Sequence, residues 1–486
     1  MSQRTNVSRW VCAALVVPLL LLVTIAFCDR AIAAGGGAAE MSSRVTTEGM
    51  TYDQYRQRQA EMMTKLLSGL PARALDAPVR AELTREDVRS VEQAPRLPGV
   101  PLQIGLVKGL NPRVDINGLP GARRGVGGPA KDGGYVWALA VGSAGAGSLR
   151  LHIEGMELPP SAELYFYSRV GEAFGPYRFN GPNGDGDFWT DTVFGNEGIL
   201  QIHVAAPATA EALSGISFTV SGVGIILPQF AGSFTPAAGS WPCGNQSCIV
   251  DATCTNVAAA NPAKSAVAKI EWAQGNFIYT CTGGLIADNN PTQGNFFLTA
   301  NHCIAKNNSA GNAQFYWRFA TMTCNDGCPD NAGWPFKTSG ATVAATGKKG
   351  DFSLLHLNAN PPSGSVILGW TSAPVANTSG ADLYRISNPN FGPQVYSQHN
   401  VDTTVGTCGG WPRGNFIYSR DITGAIDGGS SGSPIVNASS QIVGQLSGTC
   451  GSMATEVCLS GPGEANATVD GAFAAYYLTV KPIIDP

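Results

Sequence analysis

All of the chain's cysteines except Cys12 and Cys28 fall between Cys243 and Cys458. An even set confined to one stretch implies a disulfide-stapled domain made in an oxidising compartment. Zinc is the competing use of such residues, and Cys324-x-x-x-Cys328 invites it. The chain has 5 histidines, none at ligand spacing from a cysteine pair, so disulfides are preferred and no metal or organic cofactor is expected.

The other two cysteines lie in a targeting segment. Arg4 and Arg9 precede an apolar run from Val11 to Phe27, and Ala31-Ile32-Ala33 offers small residues for cleavage. Residues 1–33 therefore read as a signal peptide, with an uncleaved anchor as the rival. The product is expected to be secreted, extracellular or periplasmic, with no membrane attachment in the mature form. Lys and Arg number 31 against 35 Asp and Glu, a net charge of −4, too little basic charge for a nucleic-acid footprint.

With 486 residues, 60 glycines and 31 prolines, the chain predicts several domains and a mainly β fold. Residues 34–95 form the helical part: Tyr52 to Leu70 and Ala81 to Gln93 have compositions that suit solvated helices. Pro-rich sequence from Leu97 to Pro101 ends that part. Over 96–228, short apolar runs such as Tyr135 to Leu139, Leu149 to Ile153, Ala162 to Tyr167, Ile199 to Val204 and Ile216 to Val223 alternate with turn residues. That spacing predicts a β-sandwich. Asn183-Gly184-Asp185-Gly186-Asp187 lacks the glycine position and distal Glu of a calcium loop and reads as a turn. Residues 229–242 form a linker, and 243–486 the cysteine-bearing domain.

Three segments of that last domain carry chemistry. Phe296 to Ala300 reads as a strand that ends at Asn301-His302-Cys303. Taken alone, a strand-end histidine is more often structural, but it also suits a general base. Asp351 heads the alternating run Phe352 to Leu357, as a turn residue or as a carboxylate holding a histidine tautomer. Gly429-Ser430-Ser431-Gly432 permits a tight turn exposing a hydroxyl beside backbone N–H groups, although flexible turns share that composition. His356 reads as structural.

Together these segments resemble the chymotrypsin clan: T-A-x-H-C, D-F-S-L-L and G-x-S-G-S-P occur in that clan's order and spacing. The resemblance implies a double antiparallel β-barrel protease, a His302–Asp351–Ser431 triad and an oxyanion hole from the Gly429 and Ser431 N–H groups. The closer likeness is to the bacterial lysyl endopeptidase family. It is carried from Cys248 to Tyr477 by Cys248-x5-Cys254, Phe297 to Ala300, Asp351-Phe352, Gly429 to Pro434 and Gly444-Gln445-Leu446. Gly133 to Val204 also looks like that family's pro-region. The family implies disulfides Cys281–Cys303, Cys254–Cys324, and Cys248 with Cys450 or Cys458; it assigns no partner to Cys243, Cys328 or Cys408.

The family reads lysine with an aspartate after the last cysteine and a wall histidine. Here Asp470 falls near the former, with a register that differs by one or two residues, and Ser447 replaces the latter. Ala425 falls at the pocket base, so the resemblance leaves Lys/Arg and small aliphatic side chains open at P1. Many such zymogens are activated by a freed N-terminal amine pairing with an acidic residue before the nucleophile. Here that residue is Ser430, so the pro-region is expected to act as inhibitor or folding aid. The expected partners are polypeptide substrates and this pro-region. The alternatives are a non-catalytic secreted binding protein on a protease scaffold and a protease retaining its β-sandwich as a carbohydrate- or protein-binding module.

Overall fold

Alternating side chains divide the residues of the strand Tyr135–Gly142 between two faces. Trp137, Leu139 and Val141 point into one core with Leu149, Leu151 and Val220, whereas Ala138 points to the other face beside Met63 and Leu66. A computed structural model describes residues 38–169, 171–230, 243, 245–290, 294–329 and 335–486. The segment read as a signal peptide, and the linker beyond Phe230, lie outside these residues.

One sheet of the sandwich contains Leu102–Asn117, Ser217–Ile226 and Ser148–Glu157; the other contains Tyr135–Gly142, Glu197–Val204, Ala162–Tyr167 and Ala173–Tyr177. The helix Tyr52–Gly69 starts at a Thr51–Gln54 capping box and buries Tyr55, Met63 and Leu66. This corrects the expectation of a solvated helix: the sandwich's second face needs a cover, and the helix supplies it. The other helix is shorter than its composition suggests, Arg85–Glu92, because Thr84 and Asp87 form the capping box there. Residues 183–187 form a turn in which Asn183 Nδ2 donates to the Asp187 carbonyl at 2.9 Å.

The cysteine-bearing part forms two barrels. In the first, Val267–Gln274, Phe277–Leu285, Phe296–Ala300, Phe352–Leu357 and Ala341–Gly347 wrap Ile270, Trp272, Phe297, Leu298 and Leu354. In the second, Ile442–Gly451, Pro434–Val436, Asp382–Ser387, Val395–Val401, Phe416–Thr423 and Asn466–Ala472 pair in that order. Pairing of the last strand with the first closes the ring. The helix Phe473–Ile484 packs Phe473 and Tyr477 on Trp370, with ring centroids 5.4 and 5.3 Å apart. The structure joins Cys243 to Cys328, Cys248 to Cys458, Cys254 to Cys324, Cys281 to Cys303 and Cys408 to Cys450.

Sandwich and barrels share backbone. Leu102–Asn117 pairs with Ser217–Ile226 on one edge and with Phe277–Leu285 of the first barrel on the other, Leu106 opposite Phe277 and Leu102 opposite Thr280. Farther toward the N-terminus, Glu40–Met41 pairs with Trp370–Thr371 and Arg44–Val45 with Val366–Ile367. Between these seams lie buried charges. Glu271 meets Arg150 at 3.5 Å and accepts from the Tyr316 hydroxyl at 2.7 Å, and Lys337 pairs with Glu172. A charge taken out of water is costly unless it is paired, and these charges are paired across the seam.

Candidate active site

His302 stands where Phe296–Ala300 ends, between Phe277–Leu285 and Phe352–Leu357. Its backbone turns there, Cys303 N–H donating to the Ala300 carbonyl at 3.2 Å, and the Cys281–Cys303 bridge ties the turn to the next strand. Asp351 lies opposite with φ +50°, a left-handed backbone that its surroundings must hold. Asn301 N–H donates to the Asp351 carbonyl at 2.9 Å. From the second barrel, Gln445 Nε2 donates to the Gly350 and Asp351 carbonyls at 2.7 and 3.0 Å. Sequence reasoning assigned Gln445 no role; a glutamine inside an otherwise apolar strand is the signal that could have found it.

The Asp351 carboxylate grips His302 twice. Oδ1 accepts the His302 backbone N–H at 3.0 Å, and Oδ2 lies 2.7 Å from Nδ1. A proton on Nδ1 directed at that carboxylate leaves Nε2 as an acceptor. Nε2 is buried and has no hydrogen-bond partner among the described residues. A buried, unpaired ring nitrogen is costly and calls for a functional explanation.

Ser431 projects from a turn built on two glycines. Gly429 has φ +94° and Gly432 φ +81°, and a Cβ on Gly432 would lie 2.2 Å from Thr299 Oγ1 and 2.8 Å from the Ala300 N. Only glycine lets the turn press against the end of the His302 strand. Its carbonyls are turned away and satisfied: Thr282 Oγ1 donates to Gly429 and Thr282 N–H to Ser431, both at 2.8 Å, and Asn390 N–H to Gly428 at 2.7 Å. Among the described residues, no hydrogen bond uses the Gly429 N–H, the Ser431 N–H or the Ser431 hydroxyl. Two free donors beside a free hydroxyl can receive an oxyanion.

The loop supplying Asn390 rests on a buried lysine. Lys269 Nζ donates to the Phe391 carbonyl at 2.9 Å and lies 3.7 Å from the ring centroids of Phe319 and Phe391. Burial, then the charge of Lys337, holds the pKa of this amine well below the usual lysine range.

Beside Ser431 a cavity with about 70 Å³ of free space is lined by Ile426, Gly428, Leu446, Gly448, Thr449 and Asp421. Asp421 Oδ1 accepts from His399 Nδ1 at 2.8 Å and Thr468 Oγ1 at 2.7 Å. His399 is fixed in turn by Ser397 Oγ, 2.8 Å from Nε2. No described residue hydrogen-bonds Asp421 Oδ2. Asp421 is the second residue that sequence reasoning missed. The expectation that Asp470 faces substrate is corrected: it is fully buried and paired with Arg385 at 2.6 Å. Ala425 is also no pocket base, because it packs in a cluster with Ile249 and Val395. Ser447 is buried, and its carbonyl rather than its side chain is the group in contact across the cleft.

That contact comes from the segment leading into the sandwich. Gly99 N–H donates to the Ser447 carbonyl at 3.1 Å, Pro98 packs on Gly448, and Leu102 lies against Gly428. Arg96 bonds Asn390 Oδ1 at 3.0 Å and lies 3.6 Å from Asp427. Residues 96–102 therefore run along the cavity beside Ser431.

Residues 74–215 match the lysyl endopeptidase N-terminal domain, and residues 244–458 match the lysyl endopeptidase C-terminal domain. A lysyl endopeptidase of Pseudomonas aeruginosa is 30% identical over 393 residues, covering 75% of this chain and 77% of that protein. The chain belongs to the lysyl endopeptidase family. Similar solved structures include an HtrA-type protease with a tripeptide, at 17% identity and TM-score 0.34, covering 48% of this chain and 64% of that one. Another is a protease of M. tuberculosis in its active form, at 17% identity and TM-score 0.32, covering 50% of this chain and 92% of that one. As a lysyl endopeptidase family member the chain is a serine endopeptidase that hydrolyses polypeptides. That sets aside a non-catalytic scaffold. Family membership and five disulfides indicate an extracellular protein. No helix among the described residues is long and apolar enough to cross a membrane.

Proposed function

We propose that this endopeptidase works by acyl transfer on Ser431 and cleaves after basic residues, lysine above all. The observation that carries the chemistry is the two-point grip of Asp351 on His302 beside the glycine turn of Ser431. Ser431 Oγ attacks the peptide carbonyl while His302 Nε2 takes its proton. The tetrahedral oxyanion meets the Gly429 and Ser431 N–H groups. As the C–N bond breaks, His302 returns the proton to the leaving amine, and a water molecule then hydrolyses the ester by the same route. Asp351 stays ionised and steadies the imidazolium.

The basic preference rests on Asp421. A lysine stem would run along Leu446 and Ile426, and its ammonium would meet the carboxylate that His399 and Thr468 orient. The name of the Pseudomonas relative agrees with this choice over a small aliphatic residue. The reading is tested by profiling cleavage of a peptide library with the secreted enzyme. Cleavage confined to bonds after lysine or arginine is expected, and a preference for small aliphatic residues would contradict it.

In this reading residues 1–33 are a leader, 34–228 a pro-region, 229–242 a linker and 243–486 the protease domain. The pro-region inhibits by lying in the cleft, with Gly99 making the backbone bond to Ser447 that a substrate strand would make. Gly99 has φ +71°, and a Cβ there would lie 3.1 Å from Trp411. In the unprocessed chain, Gly99→Val should speed acylation by a fluorophosphonate at least about tenfold, a loss of roughly 1.4 kcal/mol of docking. Equal rates would mean that this segment does not block the site.

A further inference from the structure

The turn bearing Ser431 is held on its far side by a charge. Arg385 Nη1 donates to the Ser433 carbonyl and to Ser433 Oγ, each at 3.1 Å. Nη2 donates to Asp470 Oδ1 at 2.6 Å, and both side chains are 0% exposed. Arg385 Nε and Asp470 Oδ2 have no partner among the described residues. A buried ion pair with two unsatisfied atoms is a poor source of stability, since apolar replacements are often neutral or better. Its geometry has a more specific consequence. The guanidinium is rigid and planar, and it is anchored at one end by a carboxylate on the strand Asn466–Ala472. Its other end fixes the residue two positions after the nucleophile.

In zymogens activated through a new N-terminus, a freed amine orders this loop by pairing with an acidic residue just before the nucleophile. Ser430 stands there, buried, and Ser387 Oγ donates to its hydroxyl at 3.1 Å. We infer that Arg385, clamped by Asp470, is the positioning residue that orders the oxyanion turn from inside the second barrel. By holding Ser433 it sets the pitch of Gly429 to Ser431, and so the aim of the two free N–H groups. The inference rests on Ser431 being the nucleophile. Because the pair is already formed in the precursor, turn order does not wait for proteolysis, and occlusion by residues 96–102 is left as the source of latency.

The test compares the enzyme secreted from the full-length chain with two variants, each counted by active-site titration with a fluorophosphonate. Arg385→Met with Asp470→Leu removes both charges and leaves none unpaired. Its kcat should fall about 100-fold, for lysine and alanine substrates alike, with KM changed less than about threefold. Arg385→Lys, which keeps a cation, should recover at least about tenfold of that loss. A role confined to stability would lower Tm and yield while leaving kcat per titrated site unchanged. A kcat within about threefold of the parent overturns the inference. If the double variant is not secreted, Ser433→Ala decides. It removes one acceptor of Arg385 without altering charge and should lower kcat about fivefold at constant KM; an unchanged kcat overturns the inference. Failure of the Ser431 reading is seen separately, as fluorophosphonate bound at another residue.

Discussion

Ser431→Ala should lower kcat for peptide hydrolysis roughly a million-fold, the scale on which losing a triad nucleophile acts elsewhere. Residual catalysis would come from the Gly429 and Ser431 N–H groups and from substrate binding. The fold should hardly respond. The Ser431 hydroxyl has no hydrogen bond to lose among the described residues, and such a change normally costs under about 0.5 kcal/mol. In a protein of this size that moves Tm by less than about 2 °C. The measurement is steady-state hydrolysis of a lysyl peptide alongside a thermal melt. Near-parent activity in a variant with unchanged Tm would remove Ser431 from the mechanism.

Asp421→Asn should divide substrates by charge. With the carboxylate gone, a lysine ammonium in the pocket is buried without its partner, at a cost of about 3–5 kcal/mol. That corresponds to a fall in kcat/KM of about 150- to 5,000-fold for lysyl substrates. Alanyl substrates, which never reach the carboxylate, should change less than about threefold. Asp470→Asn makes the contrast: Asp470 lies behind the nucleophile turn against Arg385, so its loss should lower both substrate types together. Equal losses on both types from Asp421→Asn would place the cation reader elsewhere.

The two aspartates also show where the sequence stops being legible. Local chemistry marks His302, Asp351 and Ser431, because a strand end, a strand start and a glycine turn each have short signatures. The pocket has no such signature. Asp421 acquires its place from cross-strand register, opposite His399 on one neighbour, with Thr468 reaching it from another. Asp470 follows the last cysteine as the family pattern requires, but it pairs with Leu446 at a point where the register shifts before Gly448. A one-residue slip turns a strand side chain to the opposite face, and here it points to Arg385. The N-terminal sandwich behaves the same way. Its strand pattern predicts a sandwich, and a sandwich forms. Nothing local says that Leu102–Asn117 will also pair with a strand more than 150 residues away, or that the proline-rich stretch before it will line the cavity beside Ser431. Such edge pairing depends on which backbone is left unpaired once the barrel has formed.

Covalent labelling shows whether Ser431, activated by His302, is the nucleophile. The secreted enzyme is inactivated with a fluorophosphonate, digested and mapped by mass spectrometry, with a His302→Ala variant treated in parallel. One label per molecule is expected, on Ser431, appearing in step with the loss of activity and nearly absent from the His302 variant. Complete inactivation with Ser431 unmodified, or equal labelling of the variant, would contradict it.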